Sequence, residues 1–258
     1  MKIFLEAWLD YYFAEPTEIL LQIEAAAIPE QMLTNNFLAT SETPHFARVP
    51  AHNAIGERIW LRHQGQLTVD YRATVDIRRI VADIATLDKV EVHRLPGETV
   101  EYMLPSLYCP ALKFSNFVEA EFAGLDGGHK VAAMRDWIYR HIRYEPGASD
   151  SETTALDTFV TRQGICRDFA HLMITLVRAA GIPARIASVY ALGVTPQDFH
   201  AVAEVFLGGE WHLVDPTGMA DEGAMAKIGV GRDAADVAFL TAYGFAQMNQ
   251  QRVQVTAA

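Results

Sequence analysis

The sequence has little cysteine and no long apolar run. These two absences limit the classes of protein to which the chain can belong. Only two cysteines occur among 258 residues, Cys109 and Cys166. They are too few for a disulfide framework and favour a reducing, cytoplasmic compartment. No window reaches the roughly 18 uninterrupted apolar residues of a transmembrane helix. Glu6 and Asp10 interrupt the apolar N-terminus, so we expect neither a membrane span nor a signal peptide.

Positive charge is also scarce. Lys and Arg number 21 against 32 Asp and Glu, which gives a net charge of −11. Such a surface repels phosphate backbones, so nucleic acid is not an expected partner, whereas a basic or neutral peptide is compatible with it. Half of the residues are apolar and 21% are charged, which is the composition of a globular protein with ample core material.

The first part of the chain alternates apolar and polar residues. In the segment "LTVDYRATVDI", from Leu67 to Ile77, every second side chain is apolar, which predicts a half-buried antiparallel strand. The preceding "ERIWLRHQGQL" predicts a partner strand with a turn at Gly65, and the N-terminal segment repeats the alternation. We predict an antiparallel, β-rich, sandwich-like domain over 1–110, followed by a second domain over 111–258.

The second part begins with helical periodicity. "DGGHKVAAMRDWIYRHIRYE" predicts one helix, and "SETTALDTFVTRQG" predicts another with Ser151 or Thr153 as its N-cap. A third helix is predicted to begin near Cys166 and to end at Gly181, before Pro183. The strand-like segments "ARIASVYAL", "HAVAEVFL" and "EWHLVD" follow. Helices and strands in separate blocks predict an α+β fold.

Cys166, in "RQGICRDFAH", lies where a glycine-containing turn gives way to the third helix. A thiol attacks as its thiolate, and the N–H groups of a helix N-terminus favour that anion. Cys166 is therefore a candidate nucleophile. The alternative is a small buried side chain, which is the usual role of a lone cysteine and the one we assign to Cys109.

A catalytic thiol needs a base, and the nearest histidine in sequence is poorly placed. His171 is five residues further along the same helix, about 140° around its axis from Cys166. A Cys166/Asp168/His171 metal site fails for the same reason and lacks a fourth ligand, so no metal is expected.

A predicted hairpin selects a different histidine. "HAVAEVFLGGEWHLVDP" indicates two strands that turn at Gly208–Gly209. With a two-residue turn, Asp215 is a diagonal neighbour of His200, and His212 points to the other face. His200 is then the candidate base and Asp215 the carboxylate that orients it. Taken singly, each also suits an ordinary role, a strand histidine and a turn aspartate before proline.

Three blocks occur in a familiar order: "RQGICRDFAHLMITLVRAAGIPAR", "HAVAEVFLGGEWHLVDPT" and "VGRDAADV". They resemble the nucleophile block, the merged histidine and aspartate blocks, and a following segment of the transglutaminase-like superfamily of papain-fold cysteine enzymes, in its bacterial branch. "EYMLPSLYCP" is similar to another segment of that branch. The resemblance implies a papain-like α+β core preceded by a β domain. It also implies that Cys166 is the nucleophile, His200 the base and Asp215 the orienting acid.

The resemblance leaves the second oxyanion donor open, beside the backbone N–H of Cys166. Gln163 is one candidate, although it could simply end the preceding helix. Trp137 and Tyr190 are further candidates for oxyanion or substrate contact, and packing is the alternative for both. Relatives commonly have an aromatic residue where this chain has Val202, which implies a wider acceptor side.

The implied chemistry is acyl transfer at an amide, in a peptide bond or a glutamine side chain, through a thioester and without a cofactor. A wider acceptor side favours water, so we expect mainly hydrolysis, as in a peptidase or amidase. The alternatives are an amine-transferring transglutaminase and a non-catalytic scaffold that binds peptides. The expected partner is a peptide or protein substrate, and the oligomeric state stays open.

Overall fold

The computed structural model describes all 258 residues and has the α+β fold predicted from the sequence. Its N-terminal part contains strands β1 (Lys2–Leu21), β2 (Gln31–Thr40), β3 (His45–Pro50) and β4 (Glu57–Ile77). All pairings among them are antiparallel. The predicted alternation is confirmed, because apolar side chains at every second position of β1 and β4 are buried in one core.

The predicted turn at Gly65 is wrong. Gly65 has a φ of 91°, but it lies inside the continuous 21-residue strand β4. Opposite it, the register of β1 shifts between Phe13 and Thr17. The extra residues of β1 form a bulge opposite this part of β4. Glycine supplies a positive φ to a bulge as readily as to a turn, so the sequence signal is the same.

Helices and short strands follow β4. They are α1 (Ser115–Glu121), α2 (Gly127–His141), β5 (Arg143–Tyr144), α3 (Ala155–Thr161), β6 (Gln163–Gly164), α4 (Cys166–Ala179), β7 (Ala184–Ala191), β8 (His200–Leu207), β9 (Glu210–Val214), β10 (Met225–Gly231), α5 (Ala234–Val237), β11 (Leu240–Ala242) and β12 (Gln247–Ala257). A second sheet has the order β10-β7-β8-β9, and α4 packs against it through a shared apolar core.

The local boundaries of these helices follow simple signals. Thr154, rather than Ser151 or Thr153, caps α3, and it forms a capping box with Asp157. Gly181 has a φ of 74° directly after α4, as predicted. None of the helices is long and apolar enough to cross a membrane.

The last two strands return to the N-terminal sheet. Both β11 and β12 pair with β1 on the side away from β4. One six-stranded sheet therefore contains strands from both ends of the sequence, whereas the predicted division at residue 110 assigned these strands to the second domain. Their partners in β1 lie more than 200 residues away, and no local pattern reports such a pairing.

Candidate active site

Cys166 is the first residue of α4, and buried contacts fix the start of that helix. The buried carboxylate of Asp168 accepts a hydrogen bond from the Ile165 N–H (2.8 Å). Gly164 leaves room for this carboxylate, because a Cβ there would lie 2.7 Å from the Asp168 Cβ. Asp168 therefore satisfies an otherwise free N–H at the helix start, and the half-buried Cys166 thiol lies in the first turn.

His200 and Asp215 are brought together by the β8–β9 hairpin. Leu207 pairs with Glu210 across the turn, which is the register predicted for a two-residue loop. The His200 Nε2 lies 3.0 Å from the Asp215 Oδ2, and both side chains are buried. The other oxygen, Asp215 Oδ1, accepts hydrogen bonds from the Thr217 N–H (2.9 Å) and hydroxyl (2.7 Å). The carboxylate is held on both sides, so it fixes the orientation of the imidazole.

The protonation of this pair follows from its surroundings. Burial lowers the pKa of His200, but the carboxylate of Asp215 and the nearby Cys166 outweigh it and raise the pKa to about 9. Burial raises the pKa of Asp215, but the bonds from His200 and Thr217 more than offset this and hold it below its ordinary value. The pair is therefore an imidazolium beside a carboxylate at neutral pH.

Cys166 and His200 face the same cavity. The free ring nitrogen, His200 Nδ1, is buried and has no hydrogen-bond partner. Cys166 is close enough to favour the charged imidazole, although the two do not meet the geometric limits of a hydrogen bond. A proton donor and acceptor thus lies beside the thiol, as nucleophilic catalysis requires.

The cavity that contains them has a volume of about 890 Å³. Its lining is mixed, with 15 hydrophobic residues among 25, which is typical of a ligand site with a few polar groups. It lies between α4, the segment 194–201, α5 and β11, and Asp198 and Gln251 add polar groups to it.

One wall joins two segments far apart in sequence. The Tyr108 N–H donates to Asp233 (3.1 Å), and the Tyr108 ring stacks on His171 with centroids 5.0 Å apart. His171 Nε2 accepts a hydrogen bond from the Ala234 N–H (3.1 Å). Burial lowers the pKa of His171 to about 3, so this acceptor stays neutral. His171 therefore holds the start of α5 in place through this hydrogen bond.

Tyr144 is a cavity residue that the sequence reasoning missed. It lies in β5, and its pairing with Gly164 places it beside the start of α4. Burial, and then the charge of Cys166, raises the pKa of Tyr144 to about 12. The hydroxyl is thus a protonated group next to the thiol at neutral pH. Its sequence signal is weak, because the parallel β5–β6 pair has only two residues in each strand.

Two suggested oxyanion or substrate residues lie elsewhere. Gln163 does not line the cavity, and its side-chain oxygen accepts a hydrogen bond from Arg143 (3.1 Å). Tyr190 is fully buried in the core of the N-terminal sheet, where its hydroxyl donates to the Ile23 carbonyl (2.8 Å). Their neighbours come from other parts of the chain, so the structure corrects both assignments.

The structure also corrects the other two suggestions. Trp137 packs in the helical core and stacks on His141 with centroids 4.4 Å apart. Val202 is fully buried in an apolar cluster with Val189 and Met225, and it does not line the cavity. Val202 therefore forms no wall of the acceptor side and does not favour hydrolysis over transfer.

Known proteins resemble this chain in both sequence and structure. The family model of the transglutaminase-like superfamily matches residues 120–216. A crystal structure described as a "putative cysteine protease" from Cytophaga hutchinsonii superposes with a TM-score of 0.94 at 31% identity, and covers 100% of this chain and 90% of that one. The chain belongs to the transglutaminase-like superfamily.

Curated relatives are more distant. An uncharacterized protein of Mycobacterium leprae is 28% identical over 67% of this chain and 66% of its own length. The kyphoscoliosis peptidase of Homo sapiens is 32% identical over 34% of this chain and 15% of its own length. The transglutaminase-like chain therefore spans less than two thirds of these curated relatives. The matched core contains Cys166, His200 and Asp215, whereas α5 and β11, which complete the cavity, lie outside it.

Proposed function

We propose that this transglutaminase-like protein is a cysteine-dependent amide hydrolase that acts on peptides. The Cys166 thiolate attacks an amide carbonyl, and the Cys166 N–H donates to the developing oxyanion. His200 gives its proton to the departing amine, which leaves a thioester on the sulfur. His200 then takes a proton from water as that water attacks the thioester, and Asp215 keeps the imidazole oriented throughout.

One observation carries this proposal. The half-buried Cys166 at the start of α4 shares a cavity with a buried His200 whose other nitrogen is fixed by Asp215. A residue that served only packing would not need an oriented, protonated imidazole beside it. The names of the Cytophaga hutchinsonii protein and of the kyphoscoliosis peptidase support cleavage over transfer.

A library of glutamine-containing decapeptides tests the proposal, with and without a primary amine. We expect Cys166-dependent cleavage or deamidation that persists at saturating amine, detected by mass spectrometry. Predominant amine incorporation would instead assign a transglutaminase, the second outcome that the same residues allow. If no Cys166-dependent product forms, the proposed hydrolase activity is contradicted, and a peptide-binding scaffold is the function that remains.

The pH dependence of His200 gives a second test. Its pKa is raised to about 9, so its contribution to stability is fully present below its unfolded value and is lost as the pH rises through 9. We expect the His200 ring signals to titrate near pH 9 by NMR, and kcat/KM to fall over the same range. In Asp215→Asn the titration should move to lower pH because the carboxylate is gone. A wild-type titration near 6.5, or no shift in the variant, would contradict the assignment.

A further inference from the structure

Strand β11 has one free edge. It pairs with β1 through Leu20 and Thr241, and the flanking bonds from Gln22 N–H to the Phe239 carbonyl and from Tyr243 N–H to the Glu18 carbonyl (both 2.9 Å) fix the phase of the ladder. In an antiparallel pair, hydrogen-bonded and non-hydrogen-bonded positions alternate.

The alternation of hydrogen-bonded and non-hydrogen-bonded positions determines which backbone groups of β11 are free. Leu240 and Ala242 occupy the non-hydrogen-bonded positions, so their N–H and C=O groups point away from β1. No other strand pairs with β11, and neither residue makes a backbone bond on that side. Both residues line the cavity that contains Cys166. The free edge therefore presents unpaired donors and acceptors to the candidate active site.

The neighbouring strand β12 also has an outward edge, but its backbone groups there are hydrogen-bonded within the chain. Strand β12 lies on the same side of β1. At Val255 the amide of Gln197 takes the place of a strand, because its Oε1 accepts from the Val255 N–H (3.1 Å) and its Nε2 donates to the Val255 carbonyl (3.0 Å). The outward groups of β12 are satisfied there by the chain itself, whereas those of Leu240 and Ala242 in β11 have no partner.

We propose that substrate binds as an extended peptide that adds a strand to the free edge of β11, with its main chain paired to Leu240 and Ala242. The inference rests on the proposed function in that Cys166 is the reacting group. Pairing along an open edge provides affinity through the main chain, and alternate side chains enter adjacent pockets. Here the pockets are lined by the small residues Ala234, Ala235 and Ala238, which leave space for apolar side chains.

Alkylation of Cys166 tests this without any amide cleavage. The probes are chloroacetyl-Ala-Ala-Ala-amide and acetyl-Ala-Ala-Ala-NH-CH₂-CH₂-NH-CO-CH₂Cl, which carry the same chloroacetamide group and extend the peptide from the sulfur in opposite directions. In each, the thiolate displaces chloride from the CH₂ carbon and a thioether forms. Chloroacetamide is the reference because it has no peptide to pair. We expect at least one probe to react faster than chloroacetamide by tenfold or more, and N-methylation of one of its amides to slow it roughly three- to tenfold.

Ala242→Pro removes one outward N–H, and proline is tolerated at such an edge position. Its expected effect is a fall of at least threefold in the ratio of peptide-probe rate to chloroacetamide rate, a ratio that a general disturbance of Cys166 would not change. The matched control is Thr40→Pro, at an outward position of the far edge strand β2, which should keep the ratio of the wild type.

Equal rates for peptide probes and chloroacetamide, no effect of N-methylation, or a ratio unchanged in Ala242→Pro would overturn pairing to β11. A protein that shows the expected ratios but cleaves no amide would retain this binding mode and lose the hydrolase function.

Discussion

Replacement of Cys166 by alanine should abolish amide cleavage while leaving the protein folded. Loss of a nucleophile in a catalytic triad costs on the order of 10⁶-fold in kcat. Cys166 is half-buried and lies outside the apolar cores, so the free energy of unfolding should change by less than about 1 kcal/mol. Peptide turnover and urea denaturation of the two proteins measure both effects.

Cys109 provides the control for this experiment. It is fully buried, and burial raises the pKa of its thiol to about 12, so iodoacetamide should label wild type at Cys166 and leave Cys109 unmodified in the folded protein. Cys109→Ala should retain turnover. Residual activity in Cys166→Ala together with a large loss of stability would give the sulfur a packing role instead.

The largest effect on stability is expected from Glu204→Gln. Glu204 on β8 is fully buried between Arg185 (2.6 Å) and Lys227. Burial raises its pKa, but the two cations outweigh it and lower the pKa to about 2. Removing the anion leaves Arg185 without a carboxylate partner and leaves Lys227 with Glu30 alone, which costs about 3–5 kcal/mol. Urea denaturation at pH 7 measures the loss.

The pH dependence separates this effect from a general loss of packing. A carboxylate with a lowered pKa stabilises the folded state above its unfolded value and loses that contribution as the pH falls. The difference between wild type and Glu204→Gln should therefore shrink between about pH 4.5 and pH 2. Glu210→Gln is the control, because Glu210 is exposed on the same hairpin and makes no ion pair. Equal stability of the two variants would contradict the role of Glu204.

Local patterns predicted much of the fold. Alternation over β1 and β4 and the helical spacing around α2 and α4 need only neighbouring residues, so the sequence reveals them directly. The pairing of His200 with Asp215 was also accessible, because a two-glycine turn fixes the register of a single hairpin. Gly208 and Gly209 both have the positive φ that such a turn requires.

The features that the sequence did not predict depend mainly on contacts between segments that are distant in the chain. Tyr190 meets the Ile23 carbonyl across 167 positions of the sequence, and nothing around Tyr190 reports that neighbour. Val202 does follow the alternation of β8, yet the sequence does not tell which apolar cluster covers it. The contribution of β11 to the cavity was also not predicted. This strand has only three residues, and its partner β1 lies more than 200 positions earlier in the sequence.

The pairing of β11 and β12 with β1 also sets an order of events during biosynthesis. The Asn249 side chain bonds to Asp10, 239 positions earlier, and the two outer strands have no other partner in the sheet. A ribosome has therefore released α4 and the β8–β9 hairpin before the N-terminal sheet can close. Contacts of such long sequence separation form slowly. The thiol and the imidazole exist in the nascent chain before β11 has been synthesised, so the cavity cannot be complete until that strand has joined β1.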